Sequence, residues 1–133
     1  MIRFWKNLAL ISLVLTMFLG CNSRSLTKSS ITNLTPPTLT ANESGLYMVE
    51  CYWRSNQQSL KEDTIKAVVR IGTEDFPMRK TPKLPNRWEA LIPVDPAKGW
   101  IEYRFKFDYE YAAIPERRKD SRLSEPFQLK IVP

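Results

Sequence analysis

The sequence contains no histidine. That removes the commonest general base, the commonest metal ligand and the side chain that titrates nearest neutral pH. Only two cysteines are present, Cys21 and Cys51. Neither belongs to a metal-ligand spacing, and a zinc site would have to be built largely from carboxylates. There is no Gly-x-Ser-x-Gly, no phosphate-binding glycine loop and no internal repeat. No segment after the first 20 residues keeps a helical period, and no apolar run approaches the roughly 20 residues a spanning helix needs. These absences count against the usual hydrolase, nucleotide-binding and metal-dependent chemistries. They leave binding or structural roles.

What is present begins at the N-terminus. Arg3 and Lys6 precede an apolar run from Leu8 to Gly20. A charged start, a short apolar core and a small residue at its end mark a secretion signal with a processing site, not part of the fold. The segment resembles a bacterial lipoprotein signal, with Phe18-Leu-Gly-Cys21 similar to the lipobox and Phe18 standing where that family usually has Leu. The resemblance implies removal of residues 1–20 and a lipid anchor, palmitate included, on Cys21. Asn22, in place of Asp, implies sorting to the outer membrane. With Cys21 lipidated, Cys51 is the single remaining thiol, which excludes an internal disulfide. Its apolar neighbours in Tyr47-Met-Val-Glu-Cys-Tyr-Trp53 predict a buried, inert thiol.

Of the 20 Lys and Arg, two fall within residues 1–20, which hold no acid; the remainder carries 18 cations against 14 acids, a net of +4. Such a chain is drawn weakly to anionic head groups or polyanions. Its charge is too dispersed to predict nucleic-acid binding.

Residues 21–44 read as the lipidated cysteine and a Ser/Thr/Pro-rich tether with no apolar period, able to extend to at most roughly 70 Å. The acceptor-like triplets Asn33-Leu-Thr35 and Asn42-Glu-Ser44 are taken as coincidental in this context. Residues 45–133 then form one domain. Its period is two. Tyr47, Val49, Cys51 and Trp53 share one face; so do Ile65, Ala67, Val69 and Ile71; so do Trp88, Ala90 and Ile92. Ile101, Tyr103, Phe105, Phe107 and Tyr109 alternate with five charged residues, and Phe127, Leu129 and Ile131 close the chain. Pro77 within Phe76–Arg79 predicts an edge or a strand start. Short strands spaced by turn signals predict an all-β fold, a single antiparallel sandwich.

Trp88-Glu-Ala-Leu-Ile-Pro93, a Pro/Gly turn, and Trp100-Ile-Glu-Tyr-Arg-Phe-Lys-Phe-Asp108 resemble immunoglobulin-like sandwiches of the early-set and fibronectin type III kind. Within that group, the stretch from Val68 to Tyr111 is similar to glycogen-binding modules attached to starch-active enzymes. It departs from them at Gly72-Thr-Glu-Asp-Phe76, which lacks their Asn and Trp. The resemblance implies an immunoglobulin-like fold and glycan binding as one candidate activity.

Several residues are candidate contacts. Trp88, on an apolar face, reads as core. Trp100 is in phase with the charged row and beside Gly99, and Tyr52 is out of phase with its inner row; both are candidates for ligand or partner contact. Arg117, Arg118 and Lys119, with Arg122 nearby, are the densest basic cluster, read as a solvated loop over 112–125 suited to carboxylate or phosphate contacts. The carboxylate pairs Asp108/Glu110 and Glu74/Asp75 sit among cations or in a turn and lack the desolvated cleft that acid–base catalysis needs. No catalytic residue, cofactor or metal is therefore assigned. The expectation is a lipid-anchored envelope module that docks onto a larger protein complex. A glycan-binding module and a structural surface lipoprotein without specific ligand are the alternatives.

Overall fold

The computed structural model describes residues 28–133, so the signal segment and Cys21 lie outside the described residues. Alternating apolar and polar side chains produce strands throughout. They are β1 (Ser29–Asn33), β2 (Thr38–Thr40), β3 (Leu46–Ser55), β4 (Leu60–Ile71), β5 (Glu74–Pro77), β6 (Arg79–Lys80), β7 (Arg87–Pro93), β8 (Trp100–Tyr111), β9 (Arg118–Leu123) and β10 (Phe127–Val132). One sheet runs β1-β3-β7-β6; the other runs β2-β10-β8-β4-β5, with β9 also paired to β8. All pairs are antiparallel except β2 with β10. This strand order is that of an immunoglobulin-like sandwich, with β5 as an edge strand beyond β4.

The predicted inner rows meet between the sheets. Val49, Cys51, Val69, Ile92, Phe105, Phe107 and Leu129 are fully buried, and Trp88 is core as expected. Trp53 of one sheet stacks on Phe107 of the other, with centroids 4.9 Å apart and planes within 8°. Trp88 meets Phe107 edge-on at 5.7 Å. Each buried aromatic contributes roughly 1.5–3 kcal/mol of transfer free energy, plus about 0.5–1.5 kcal/mol per ring pair. Burial pushes the Cys51 thiol up to about 12, in keeping with an inert packing residue.

Two sequence expectations need correction. The tether over 21–44 is too long, because residues 29–40 belong to the sandwich. β1 pairs with β3 and buries Ile31 beside Trp53 in register; β2 pairs with β10 through Leu39 opposite Ile131. Pro36-Pro37 moves the chain from one sheet to the other. The buried Thr35 hydroxyl accepts from the Glu50 N–H (2.8 Å) and donates to the Glu50 carbonyl (3.2 Å). It thus continues β1 pairing just before Pro36, which has no N–H to give. Asn33 is also structural: its amide donates to the buried Tyr103 hydroxyl at 2.9 Å.

The second correction concerns 112–125. Residues 118–123 are an edge strand rather than loop, in register with Lys106–Tyr111. β9 and β10 run consecutively along the same side of β8. Between them Ser124 is buried. Its N–H donates to the Phe105 carbonyl (2.8 Å), and its hydroxyl accepts from the Phe105 N–H (2.9 Å). A side-chain oxygen thus stands in for a ladder carbonyl where Pro126 interrupts the strand.

Candidate functional site

Three exposed features offer chemistry, and they lie on different parts of the sandwich. The first is the outer face of the β1-β3-β7-β6 sheet. Even-numbered residues of β3 and odd-numbered residues of β7 point outward. Met48 stands opposite Leu91, and Leu46 opposite Pro93. Leu91 is 52% exposed and Leu46 40%; Leu34, also exposed, follows β1 beside Glu50. Further along the face Glu50 stands directly opposite Glu89, an unfavourable pairing by itself. Each is answered by an arginine: Arg87 lies 3.1 Å from Glu50 and Arg79 lies 3.0 Å from Glu89. Both facing glutamates are therefore matched, and the apolar patch stands beside them; Arg54, at the far end of β3, forms no salt bridge among the described residues. Tyr52, a predicted contact, is half-buried on the same face between Thr32 and Arg87.

The second feature is an open polar cleft of about 920 Å³ where the β1 and β9 edges of the two sheets approach. Arg118, Asp120 and Arg122 stand opposite Tyr111, Tyr109 and Phe107 in register, so β9 turns its charges toward the sandwich interior. Inward charges on an edge strand also discourage edge-to-edge association. Arg122, Arg54 and Lys28 line the cleft, and none forms a salt bridge among the described residues. The lining carboxylate is Asp120, which accepts from the Tyr109 hydroxyl (3.1 Å) and the Ser121 N–H (2.8 Å). Burial raises the Tyr109 pKa, and the adjacent Asp120 charge and hydrogen bond raise it further. Arg117 and Lys119 point elsewhere, toward Glu110 at 3.9 and 4.0 Å.

The third feature is Trp100, 43% exposed as expected from its phase. The turn before it is tied by Asp95, whose side chain accepts from Ala97 N (2.9 Å) and whose carbonyl accepts from Gly99 N (3.0 Å). Gly99 takes φ +70°, a left-handed turn that starts β8 with the indole at the surface. The Lys98 ammonium lies 4.3 Å from the ring centroid. The shallow groove here includes Pro37, Lys98, Trp100 and Lys130, with no second aromatic among the described residues.

The structure therefore disperses the sequence-predicted contacts. Trp100 starts β8, whereas Arg122 to Arg118 pair with Phe107 to Tyr111 in its other half, roughly 23 to 36 Å away at about 3.3 Å per residue. Tyr52 is on the other sheet. Arg54, Lys28 and the outer Leu91 patch were missed. Leu91 carried a signal, being an apolar residue out of phase with Trp88, Ala90 and Ile92. Arg54 carried none, because its position follows only from the β1–β3 pairing.

No protein-family model matches this chain, and no curated protein matches it. Among solved structures it is similar to murine CRIg, at 12% identity over 80% of this chain and 99% of that one, with a TM-score of 0.49. It is also similar to a DUF4785 family protein from Legionella pneumophila, at 10% identity over 83% of this chain, with a TM-score of 0.48. The chain spans 30% of that protein's length. Likenesses this distant carry nothing about binding, and the fold assignment stands on the strand order itself.

Proposed function

We propose that this protein is a lipid-anchored module of the bacterial cell envelope, held at the outer membrane through Cys21, which docks onto a larger envelope protein complex and catalyses no reaction. The supporting observation is the apolar patch formed by Leu46, Met48, Leu91 and Pro93, beside a Glu50–Glu89 pair whose charges are each answered by an arginine. Large apolar side chains clustered on one face mark an interaction surface. The matched Glu–Arg pairs beside them favour a partner whose own face is apolar and weakly charged.

Two substitutions test the reading. Cys21→Ala removes the acylation site, so metabolic palmitate labelling is lost; retained labelling refutes the anchor. Leu91→Lys places a charge in the patch without touching the core. It abolishes co-purification of the partner from detergent extracts while leaving the melting temperature unchanged. Unchanged co-purification refutes docking through this face.

Glycan binding is the second reading, supported by the exposed Trp100 ring. A saccharide stacking there has to displace Lys98 or use the other face of the indole. Trp100→Ala abolishes saccharide binding if this reading holds.

A further inference from the structure

We propose that the end of the sandwich from which the N-terminal segment departs docks on an anionic lipid surface, the cleft between β1 and β9 receiving lipid phosphate groups. The proposal rests on the anchored reading above. It adds which end of the domain meets the membrane and through which side chains.

Chain geometry sets the orientation. Lys28 is already in the fold: its carbonyl accepts from Asn56 N at 3.0 Å, extending the β1–β3 pairing. This end also carries the 112–117 loop, since Leu60 pairs with Tyr111 and Ala112 N donates to the Ser59 carbonyl. Seven peptide units separate Cys21 from Lys28, a reach of at most roughly 25 Å. β8, with 12 residues, runs the length of the sandwich, roughly 36 Å. The reach of residues 21–28 is shorter than the domain is long. With Cys21 in the bilayer, the Trp100 end cannot turn head-on to the membrane, and the Lys28 end stays beside it.

The chemistry of that end suits an anionic surface. Lys28, Arg54 and Arg122 face the cleft without salt-bridge partners among the described residues, and Ser29, Ser55 and Ser121 add hydroxyl groups. Guanidinium and hydroxyl donors are the usual ligands of phosphate oxygens. The local acids are partly engaged: Asp120 by Tyr109, and Glu110 by Arg117 and Lys119, with Glu116 exposed beside them. At the tip of the neighbouring loop, Ile114 is 96% exposed. A solitary apolar side chain next to Arg117 and Arg118 has the amphipathic composition of an interfacial contact. An acidic saccharide could also use the cleft. The lipid surface is favoured because the anchor holds it beside the cleft and because Ile114 has no use in a polar saccharide complex.

The test uses the mature lipoprotein purified from membranes and reconstituted into vesicles of phosphatidylcholine alone or with phosphatidylglycerol. An environment-sensitive fluorophore is attached at Ile114→Cys or, at the opposite end, at Leu46→Cys. Buried Cys51 stays unlabelled. The expected result is quenching of the 114 probe by a head-group quencher, only when phosphatidylglycerol is present, with the 46 probe unaffected. Arg54→Gln and Arg122→Gln each lower the docking equilibrium constant, read from the quenched and unquenched populations, roughly fivefold, with circular dichroism unchanged. Equal quenching at both positions, or quenching indifferent to lipid charge, overturns the proposal. So does saturable binding of oligogalacturonate that releases the 114 probe, which assigns the cleft to acidic saccharides. Mass spectrometry of Cys21 in the same preparation reports separately whether the anchor is present.

Discussion

The Tyr109 hydroxyl donates a 3.1 Å hydrogen bond to Asp120, joining the last aromatic of the buried β8 row to the charged edge strand β9. All six β9 residues are exposed overall, so this bond and the ladder to β8 hold the strand in place of core contacts. Tyr109→Phe and Asp120→Ala should therefore couple. A double-mutant cycle by urea denaturation is expected to give about 1 kcal/mol of interaction energy, with faster amide exchange across 118–123 in either single variant. A coupling of zero means that the bond does not fasten β9.

Alkaline pH should destabilise the domain. Burial raises the Cys51, Tyr103 and Tyr109 pKa values above their ordinary 9.0, 10.0 and 10.0. For each group the unfolded chain gives up its proton first. Stability is then full below the unfolded values and is lost as pH climbs through them toward the folded ones. For Cys51, whose thiol is pushed up to about 12, the loss reaches on the order of 4 kcal/mol by that pH. Melting temperature should be flat from pH 7 to about 8.5 and fall above pH 9, and Cys51→Val should make the fall shallower. An alkaline profile that Cys51→Val leaves unaltered contradicts burial of a neutral thiol.

Trp53 carries a large share of the contact between sheets, through Phe107 at 4.9 Å and Tyr109 at 5.3 Å. Trp53→Ala should cost about 3–5 kcal/mol, a large fraction of the roughly 5–15 kcal/mol that holds an ordinary domain folded. Calorimetry reads this directly. A loss below about 1 kcal/mol would place the ring outside a packed core.

Ser124→Ala should expose the weak point between β9 and β10. The variant leaves the buried Phe105 N–H without its acceptor, at a cost of about 1–3 kcal/mol. Hydrogen exchange at the Phe105 amide should accelerate, while that at Val69, on neighbouring β4, changes only with the global stability.

The β8 row was legible because Ile101 to Tyr109 alternate strictly and have one buried face. The same holds for the inner rows of β3, β4, β7 and β10. β1 and β2 were not legible. They are short, rich in Ser and Thr, and bury one apolar side chain apiece, Ile31 and Leu39. Their strand character comes from distant partners, as when Lys130 N donates to the Pro37 carbonyl at 2.9 Å. β9 was illegible for the opposite reason, since its inner positions hold Arg118, Asp120 and Arg122 where alternation would have placed apolar groups. Of the candidate contacts, Trp88 and Trp100 followed from phase alone. The cleft could not be read in advance, because Lys28, Arg54 and Arg122 come together only through the meeting of two sheet edges.

Docking through the outer sheet face is the central claim, and site-specific photocrosslinking in native membranes tests it most directly. A photoreactive residue replaces Leu91 in one strain and Gln128, on the other sheet, in a second. The account predicts one discrete protein adduct from position 91 that is absent from position 128 and is lost with Cys21→Ala. No protein adduct from position 91, or the same adducts from both positions, would contradict it.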